Sequence, residues 1–121
     1  MKQNKITLKI EDLNLTAEDV VKYYYRAFGC YTVLNSIDIS SNPILKKTII
    51  EKFPELEEKF DLSAGLPDLF IYSNKKYFFV EVKTDSGFSF NPNQLNWYSN
   101  NSDIMKKVKI ILIRLRGNNS K

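Results

Sequence analysis

Two apolar runs separated by a short polar segment are the feature of this sequence that most constrains its fold. The first run covers residues 68–72, the second covers residues 77–83, and a Ser-Asn-Lys-Lys segment lies between them. Runs of this length, rich in aromatic and β-branched residues and joined by a few polar residues, are typical of a β-hairpin. The sequence therefore predicts two adjacent antiparallel strands, the second of which ends in charged residues.

A helix and a strand are predicted before the hairpin. Thr16 and Asp19 have the spacing of a capping box and Gly29 is a typical helix end, so a helix is expected over about 17–28. Residues 31–37 are rich in β-branched and aromatic residues and indicate a strand. Tyr23 is expected to be exposed, whereas the helix should bury a stripe of five residues. These are Ala17, Val20, Val21, Tyr24 and Phe28.

The rest of the chain adds further elements around the hairpin. Asn42-Pro43 and Asn91-Pro92 each combine an N-cap residue with a proline at the first helical position. They predict one helix that begins at Pro43 and continues up to Pro54, and another that begins at Pro92 and ends at about residue 100. Residues 108–115 indicate a final strand, alternation over 6–10 indicates a short extended segment, and 117–121 are expected to be a frayed tail. The predicted order is helix, strand, helical insertion, hairpin, helix and strand.

Composition limits the chemistry that is available. The chain has 121 residues, which is the size of one domain, so a single domain over 1–121 is expected. It has no histidine and only one cysteine, Cys30, which excludes His-based acid/base catalysis, Cys–His nucleophiles and Cys/His zinc sites. With no disulfide within the chain and no apolar run near the roughly 20 residues that span a membrane, a cytoplasmic, soluble protein is expected.

The charge balance favours a polyanionic partner. The net charge is +4, acidic residues concentrate between 51 and 68, and basic residues follow 103. Mild basicity alone is equally compatible with ordinary solubility. Lys106, Lys107 and Lys109, which are expected just before the last strand, either contact phosphates or solvate a sheet edge, and we favour phosphate contact.

Charged side chains converge at the end of the predicted hairpin. Glu81 and Lys83 project from one face of their strand because side chains alternate, and Asp68 opens the neighbouring strand beside Glu81. Two nearby carboxylates repel each other unless a cation lies between them, and oxygen ligands suit Mg²⁺ or Mn²⁺. The arrangement predicts metal-assisted phosphodiester hydrolysis. An exposed Glu–Lys ladder is the alternative for this tripeptide alone.

Three motifs together resemble the PD-(D/E)XK nuclease superfamily. They are Gly65-Leu66-Pro67-Asp68, then Phe79-Val80-Glu81-Val82-Lys83, then the segment from Gln94 to Trp97. They are most similar to its VRR-NUC branch, which is related to archaeal Holliday-junction resolvases, and the resemblance covers about 16–116. It implies an α/β fold with a restriction-endonuclease-like αβββαβ core, a mixed sheet flanked by helices, and a helical insertion over about 40–62 after the first core strand.

The resemblance also implies roles for individual residues. Asp68 and Glu81 would ligate the metal together with the main-chain carbonyl of Val82, and Lys83 would be the catalytic lysine. Gln94 matches the glutamine that supports the site, although an exposed helix residue would look the same in sequence. Glu18 matches a first-helix glutamate that contacts water on the metal, although an acidic first-turn residue also complements the helix dipole.

The function that follows is a Mg²⁺-dependent DNA endonuclease, with Mn²⁺ as a substitute, that selects branched DNA in replication, recombination or repair. A homodimer is expected because cutting two strands needs two sites. The alternatives are a Holliday-junction resolvase and an inactive DNA-binding module of the same fold. Trp97 either stacks on a base or packs its helix onto the sheet, and packing is favoured.

Overall fold

The computed structural model describes residues 2–9, 16–61, 64–84 and 89–116. It has five strands, four α-helices and two 3₁₀ turns in the described residues. They are β1 (Lys2–Lys9), α1 (Ala17–Arg26), β2 (Thr32–Asn35), α2 (Ser36–Ser41), α3 (Pro43–Lys52), β3 (Leu69–Tyr72), β4 (Tyr77–Thr84), α4 (Pro92–Asn100) and β5 (Val108–Arg116), with 3₁₀ turns at Pro54–Leu56 and Ser102–Lys107. The predicted tail over 117–121, together with positions 10 and 62, lies outside the described residues.

The five strands form one mixed sheet in the order β1-β5-β4-β3-β2. β3 pairs antiparallel with both β2 and β4, whereas β5 pairs parallel with both β4 and β1. From α1 onward the elements follow the predicted αβββαβ order, and α2 and α3 form the predicted helical insertion after the first core strand. The fold class expected from the sequence is confirmed, and β1 adds an edge strand to it.

The predicted hairpin is formed by β3 and β4. Leu69 pairs with Val80 and Tyr72 pairs with Tyr77, and the turn closes through a 2.8 Å hydrogen bond from the Ser73 N–H to the Lys76 carbonyl. Every residue from Tyr77 to Glu81 is buried. This strand therefore has helices or loops against both of its faces, and its charged end is held within the fold.

Separate apolar clusters cover the two faces of the sheet. On the α1 face, Val21 of α1 packs with Ile71 and Val80. On the α4 face, Phe70 and Phe79 pack with side chains of the insertion and with Trp97 of α4, whose ring centroid is 5.4 Å from that of Phe79. Trp97 is only 5% exposed. Its predicted role in packing the helix onto the sheet is therefore confirmed.

The buried stripe of α1 differs from the prediction at its carboxyl end. The helix ends at Arg26, Tyr25 is buried, and Tyr24 and Phe28 are 47% and 57% exposed, although both were predicted to be core. Tyr23 is exposed as predicted. Val20 and Val21 of the predicted stripe face the sheet, but α1 packs over β2 and β4 and leaves a cleft towards β5, where the end of the stripe is exposed. Helical periodicity cannot show whether a neighbouring strand covers the whole stripe.

Two further boundaries differ from the prediction. β2 stops at Asn35 instead of reaching residue 37, because α2 begins at Ser36. β5 begins at Val108 as predicted, so Lys109, which was expected before this strand, lies within it, opposite Val80 of β4. Within the described ranges, no helix is both long enough and apolar enough to cross a membrane.

Candidate active site

The carboxyl half of β4 places a carboxylate and an ammonium group together under α4. Strand alternation turns Glu81 and Lys83 to the α4 face, while Val82 packs towards the α1 face. The side chains of Glu81 and Lys83 are almost fully buried, and Lys83 Nζ lies 3.1 Å from Glu81 Oε2. Burial distinguishes this pair from the exposed Glu–Lys ladder that was the alternative.

Asp68 joins this pair from the start of β3. Because Leu69 pairs with Val80, Asp68 lies beside Glu81, as the antiparallel register predicts. The main-chain N–H of Val82 donates a 2.8 Å hydrogen bond to Asp68 Oδ2, which fixes one carboxylate oxygen of Asp68. The structure therefore brings both predicted metal-binding carboxylates and the backbone of Val82 to one place.

Gln94 links α4 to both charged residues of β4. Its Nε2 donates a 2.6 Å hydrogen bond to Glu81 Oε2, and its Oε1 accepts one of 3.2 Å from Lys83 Nζ. The same Oε1 accepts a 3.0 Å hydrogen bond from the N–H of Asn91, whose side chain caps α4 by accepting from the Gln94 N–H at 2.9 Å. The capping box thus fixes the orientation of the amide that holds the acid and the lysine.

Gly65 allows the loop before Asp68 to touch the first turn of α4. Its φ is +85°, and a Cβ built there would lie 2.1 Å from the main-chain oxygen of Asn93. Only glycine avoids both the left-handed penalty and this collision. The glycine of the first motif therefore holds Asp68 and Gln94 in a fixed relation.

Burial, and after it the proximity of the carboxylates to one another, sets the electrostatics of the site. Burial, followed by the charge of Glu81, raises the pKa of Asp68 to about 6. Burial also raises the pKa of Glu81, and the hydrogen bond and charge of Lys83 oppose this shift. The pKa of Glu18 is raised by burial and then by the charge of Asp68, which places this α1 residue within electrostatic reach of the site. Like charges near one another favour binding of a cation.

The donor set fits a hard divalent cation. Glu81 Oε1 is buried and has no hydrogen-bond partner among the described residues, although a carboxylate oxygen in that position needs one. Mg²⁺ and Mn²⁺ take oxygen ligands, often one or two carboxylates with the remaining positions filled by water or substrate phosphate. Over the described ranges, no cluster of three or more acidic, histidine or cysteine side chains could hold a metal. Asp68 and Glu81 therefore suit a site completed by other oxygens.

The three lysines predicted to contact phosphate lie apart from this site. Lys107 Nζ is 4.9 Å from the ring centroid of Tyr77, and Lys109 Nζ is 4.1 Å from that of Phe78. These rings are on opposite faces at the amino end of β4, whereas Glu81 is near its carboxyl end, and Lys106 is exposed on the preceding turn. The lysines do not form one surface, and their contact with phosphate stays a prediction.

Sequence reasoning missed three neighbours of the site. Phe90 has its ring centroid 4.7 Å from Lys83 Nζ, and Tyr98 packs on Phe90 with ring centroids 5.6 Å apart. Burial and the charges of Glu81 and Asp68 raise the pKa of the Tyr98 hydroxyl. Asn91 was identified only as a helix cap. The capping spacing of Asn91 and Gln94 could have indicated the link to Gln94, whereas Phe90 has no recognisable signal in the sequence.

From α1 onward the structure has the element order that the motif resemblance implies, and it brings Asp68, Glu81, Lys83 and Gln94 together at the end of β4. Among solved structures, the chain is similar to paFAN1 in its crystal structure bound to DNA with a two-nucleotide 5′ flap and a gap, with 22% identity and a TM-score of 0.43. The match covers 66% of this chain and 16% of that chain. No family model matches the sequence, and no curated protein matches it.

Proposed function

We propose that the protein is a metal-dependent DNA endonuclease that acts on branched or otherwise structured DNA. The observation that carries the proposal is the buried cluster at the end of β4, in which Glu81, Lys83 and Gln94 are joined by hydrogen bonds of 2.6 to 3.2 Å beside Asp68. Taking a carboxylate and a lysine out of water beside a second, half-buried carboxylate costs free energy, and clusters of this kind concentrate at functional sites. The motif resemblance supplies the reaction class.

Asp68 and Glu81, with the main-chain carbonyl of Val82, would hold Mg²⁺, and Mn²⁺ would substitute for it. The unpartnered Glu81 Oε1 supports this assignment. When bound, such a cation acts as a Lewis acid that polarises a phosphoryl oxygen and offsets charge on the leaving oxygen. Burial, and after it the charge of Glu81, raises the pKa of Asp68, and a cation at this position would offset both effects by stabilising the ionised carboxylate.

Lys83 and Gln94 have separate roles in this proposal. The ammonium of Lys83 is held by Glu81 and Gln94, so its positive charge has a fixed position from which it can orient an attacking water and stabilise a phosphorane-like transition state. Gln94 is a positioning residue that acts through both neighbours. Glu18, whose pKa is raised by burial and by Asp68, would accept a hydrogen bond from the attacking water.

The proposed substrate is DNA whose shape, rather than sequence, is recognised. The net charge of +4 is compatible with a polyanion, and Lys106, Lys107 and Lys109 are proposed phosphate contacts. A single domain of this size has little surface for reading a long base sequence. A homodimer would supply the second site that a two-strand cut needs, and light scattering with and without DNA tests this part separately.

Two alternatives share the fold. A Holliday-junction resolvase would cut four-way junctions symmetrically, and an inactive DNA-binding module would bind DNA without cutting it. The intact set of Asp68, Glu81 and Lys83 favours an active enzyme over the binding module.

The test is cleavage of single-stranded, duplex, 5′-flap and four-way-junction DNA in Mg²⁺, Mn²⁺ or EDTA. We expect cleavage that needs a divalent cation and is fastest on a branched substrate. Preference for the four-way junction would favour the resolvase. Tight binding of all four DNAs without any cleavage in either metal would contradict the proposal and identify a binding module.

A further inference from the structure

We propose that a cleft between the carboxyl end of α1 and β5 binds an unpaired nucleobase of a DNA strand. This inference rests on the proposed DNA partner and is independent of cleavage. The cleft has a volume of about 560 Å³, which lies within the range of small-ligand sites. Four aromatic residues, together with Cys30 and Lys109, line it. The aromatic residues are Tyr24, Tyr25, Phe28 and Tyr31.

The aromatic walls of the cleft are exposed. Tyr24 and Phe28 are 47% and 57% exposed, and their rings meet edge to face with centroids 5.2 Å apart. The sequence pattern places both on the apolar stripe of α1, yet the fold leaves them in contact with solvent. Grouped exposed apolar surface of this kind indicates a binding site. Aromatic rings of this kind stack on bases of any sequence.

The charges of the described residues around the cleft favour an anionic partner. Lys109 Nζ lies 4.1 Å from the centroid of Phe78, and Lys76 Nζ lies 5.6 Å from that of Tyr31, so ammonium groups accompany the aromatic cluster. None of the described residues that line the cleft is acidic. In two other surface clefts, both lined by Glu57 and Glu58, acidic residues outnumber lysines two to one, which disfavours phosphate there. Aromatic surface and positive charge therefore occur together at this cleft.

The position of the cleft relates it to the candidate active site. Glu18, in the first turn of α1, is in electrostatic reach of Asp68, whereas Tyr24 and Phe28 lie at the other end of the helix. A helix of 10 residues is about 15 Å long. At about 3.4 Å per nucleotide of stacked strand, this length corresponds to roughly four nucleotides. The cleft and Glu18 thus lie about one helix length apart, a separation that a few nucleotides of single strand can span.

The first measurement is the affinity of the protein for a fluorescent oligothymidylate of about 12 nucleotides. Fluorescence anisotropy reports the binding, and EDTA is present so that no cleavage occurs. We expect Tyr24→Ala and Phe28→Ala each to lower the affinity at least about fivefold, the effect of losing one base–aromatic stack. Tyr24→Phe keeps the ring and should bind like the wild type. Tyr23→Ala is the matched control, because Tyr23 is 57% exposed on the same helix and does not line the cleft.

Cys30 provides a second measurement at the cleft itself. It is the only cysteine of the chain, it is exposed, and it lines the cleft. The rate at which a thiol reagent modifies the protein therefore reports this position alone. Saturating oligothymidylate should slow the modification severalfold in the wild type and in Tyr23→Ala.

Three results would overturn the inference. In the first, the wild-type protein does not bind the oligonucleotide. In the second, Tyr24→Ala and Phe28→Ala both bind it with the affinity of the wild type. In the third, saturating oligonucleotide does not change the rate at which Cys30 is modified. Loss of a dimer in Tyr24→Ala with unchanged DNA affinity would also overturn it and would assign the cleft to a protein interface. If the predicted losses occur but the wild type cuts no DNA in Mg²⁺ or Mn²⁺, the endonuclease proposal fails and the base site stands.

Discussion

The side-chain amide of Gln94 donates a 2.6 Å hydrogen bond to the buried carboxylate of Glu81. The other end of the same amide accepts from Lys83, so one residue of α4 positions two residues of β4. Gln94→Ala removes both contacts, and loss of such a supporting residue typically lowers metal affinity or activity about 10- to 100-fold. We expect this decrease in Mn²⁺ affinity by calorimetry and in the cleavage rate.

Leu95→Ala is the control for this prediction. Leu95 is the next residue of the helix and is 55% exposed, so its truncation tests the effect of altering α4 without touching the site. Leu95→Ala should cut DNA at the wild-type rate. Equal cleavage by Gln94→Ala and Leu95→Ala would show that Gln94 has no supporting role.

Asp68 gives the metal-free protein a pH-dependent stability. Its pKa is about 6 in the folded protein and about 4 in the unfolded chain, so between these values the folded state binds more protons. The contribution of Asp68 to the free energy of unfolding therefore falls as pH rises from about 4 to about 6 and is constant above that. We expect urea unfolding in EDTA to show that, from about pH 4.5 to about pH 7, the free energy of unfolding of the wild type falls by about 1–3 kcal/mol more than that of Asp68→Asn. An identical loss in both proteins would contradict the raised pKa.

Gly65 and Gly29 form a matched pair of glycines with positive φ. Both adopt left-handed backbone, with φ of +85° and +75°, but a Cβ at Gly29 would meet nothing within 4 Å, whereas one at Gly65 would collide with the main chain of Asn93. Gly29→Ala should therefore cost only about 1 kcal/mol of backbone strain. Gly65→Ala should lower the free energy of unfolding further and also reduce cleavage, because it moves the loop of Asp68 away from α4. Equal effects of the two substitutions in urea unfolding would refute the close contact.

Glu18 and Asp19 should respond in opposite ways to neutral substitution. The pKa of Glu18 is raised by burial and by Asp68, so its charge is unfavourable in the fold, and Glu18→Gln should not lower the melting temperature. If Glu18 orders the attacking water, this variant should cut DNA about tenfold more slowly or worse. If Glu18 only complemented the helix dipole, the variant would instead lose about 0.3–1 kcal/mol of stability and keep its rate.

Asp19 is the internal control. Its carboxylate accepts a hydrogen bond from the Thr16 N–H, and this capping contact lowers its pKa. Asp19→Asn should therefore lower the melting temperature and leave the cleavage rate unchanged. A wild-type cleavage rate in Glu18→Gln would remove Glu18 from the site.

Elements of the fold could be predicted from the sequence wherever their structure depends on residues close together in the chain. The cap at Thr16, the Asn-Pro starts of α3 and α4 and the β3–β4 hairpin all depend on contacts within a few residues, and the structure has each of them. The convergence of Asp68, Glu81 and Lys83 follows from strand alternation and hairpin register, which are also local.

Burial and long-range contacts could not be predicted from the sequence, because they depend on how distant elements pack against one another. Tyr24 and Tyr25 are both aromatic and adjacent, and only the position of α1 over the sheet decides that Tyr25 is buried. The parallel pairing of β1 with β5 joins segments about a hundred residues apart, and no periodicity encodes it. Phe90 reaches Lys83 only because α4 folds back over β4.

The most direct test of the central claim compares metal binding and cleavage in Glu81→Ala and Lys83→Ala. Glu81 is the proposed ligand with a buried, unpartnered oxygen, whereas Lys83 acts on the water and the phosphate. Calorimetry with Mn²⁺ and a nicking assay on the preferred DNA, with circular dichroism to confirm folding, separate the two roles. We predict that folded Glu81→Ala loses both metal binding and cleavage, and that Lys83→Ala binds Mn²⁺ but cuts DNA at least about 100-fold more slowly. Undiminished cleavage by Glu81→Ala, or cleavage by the wild type in EDTA, would contradict the account.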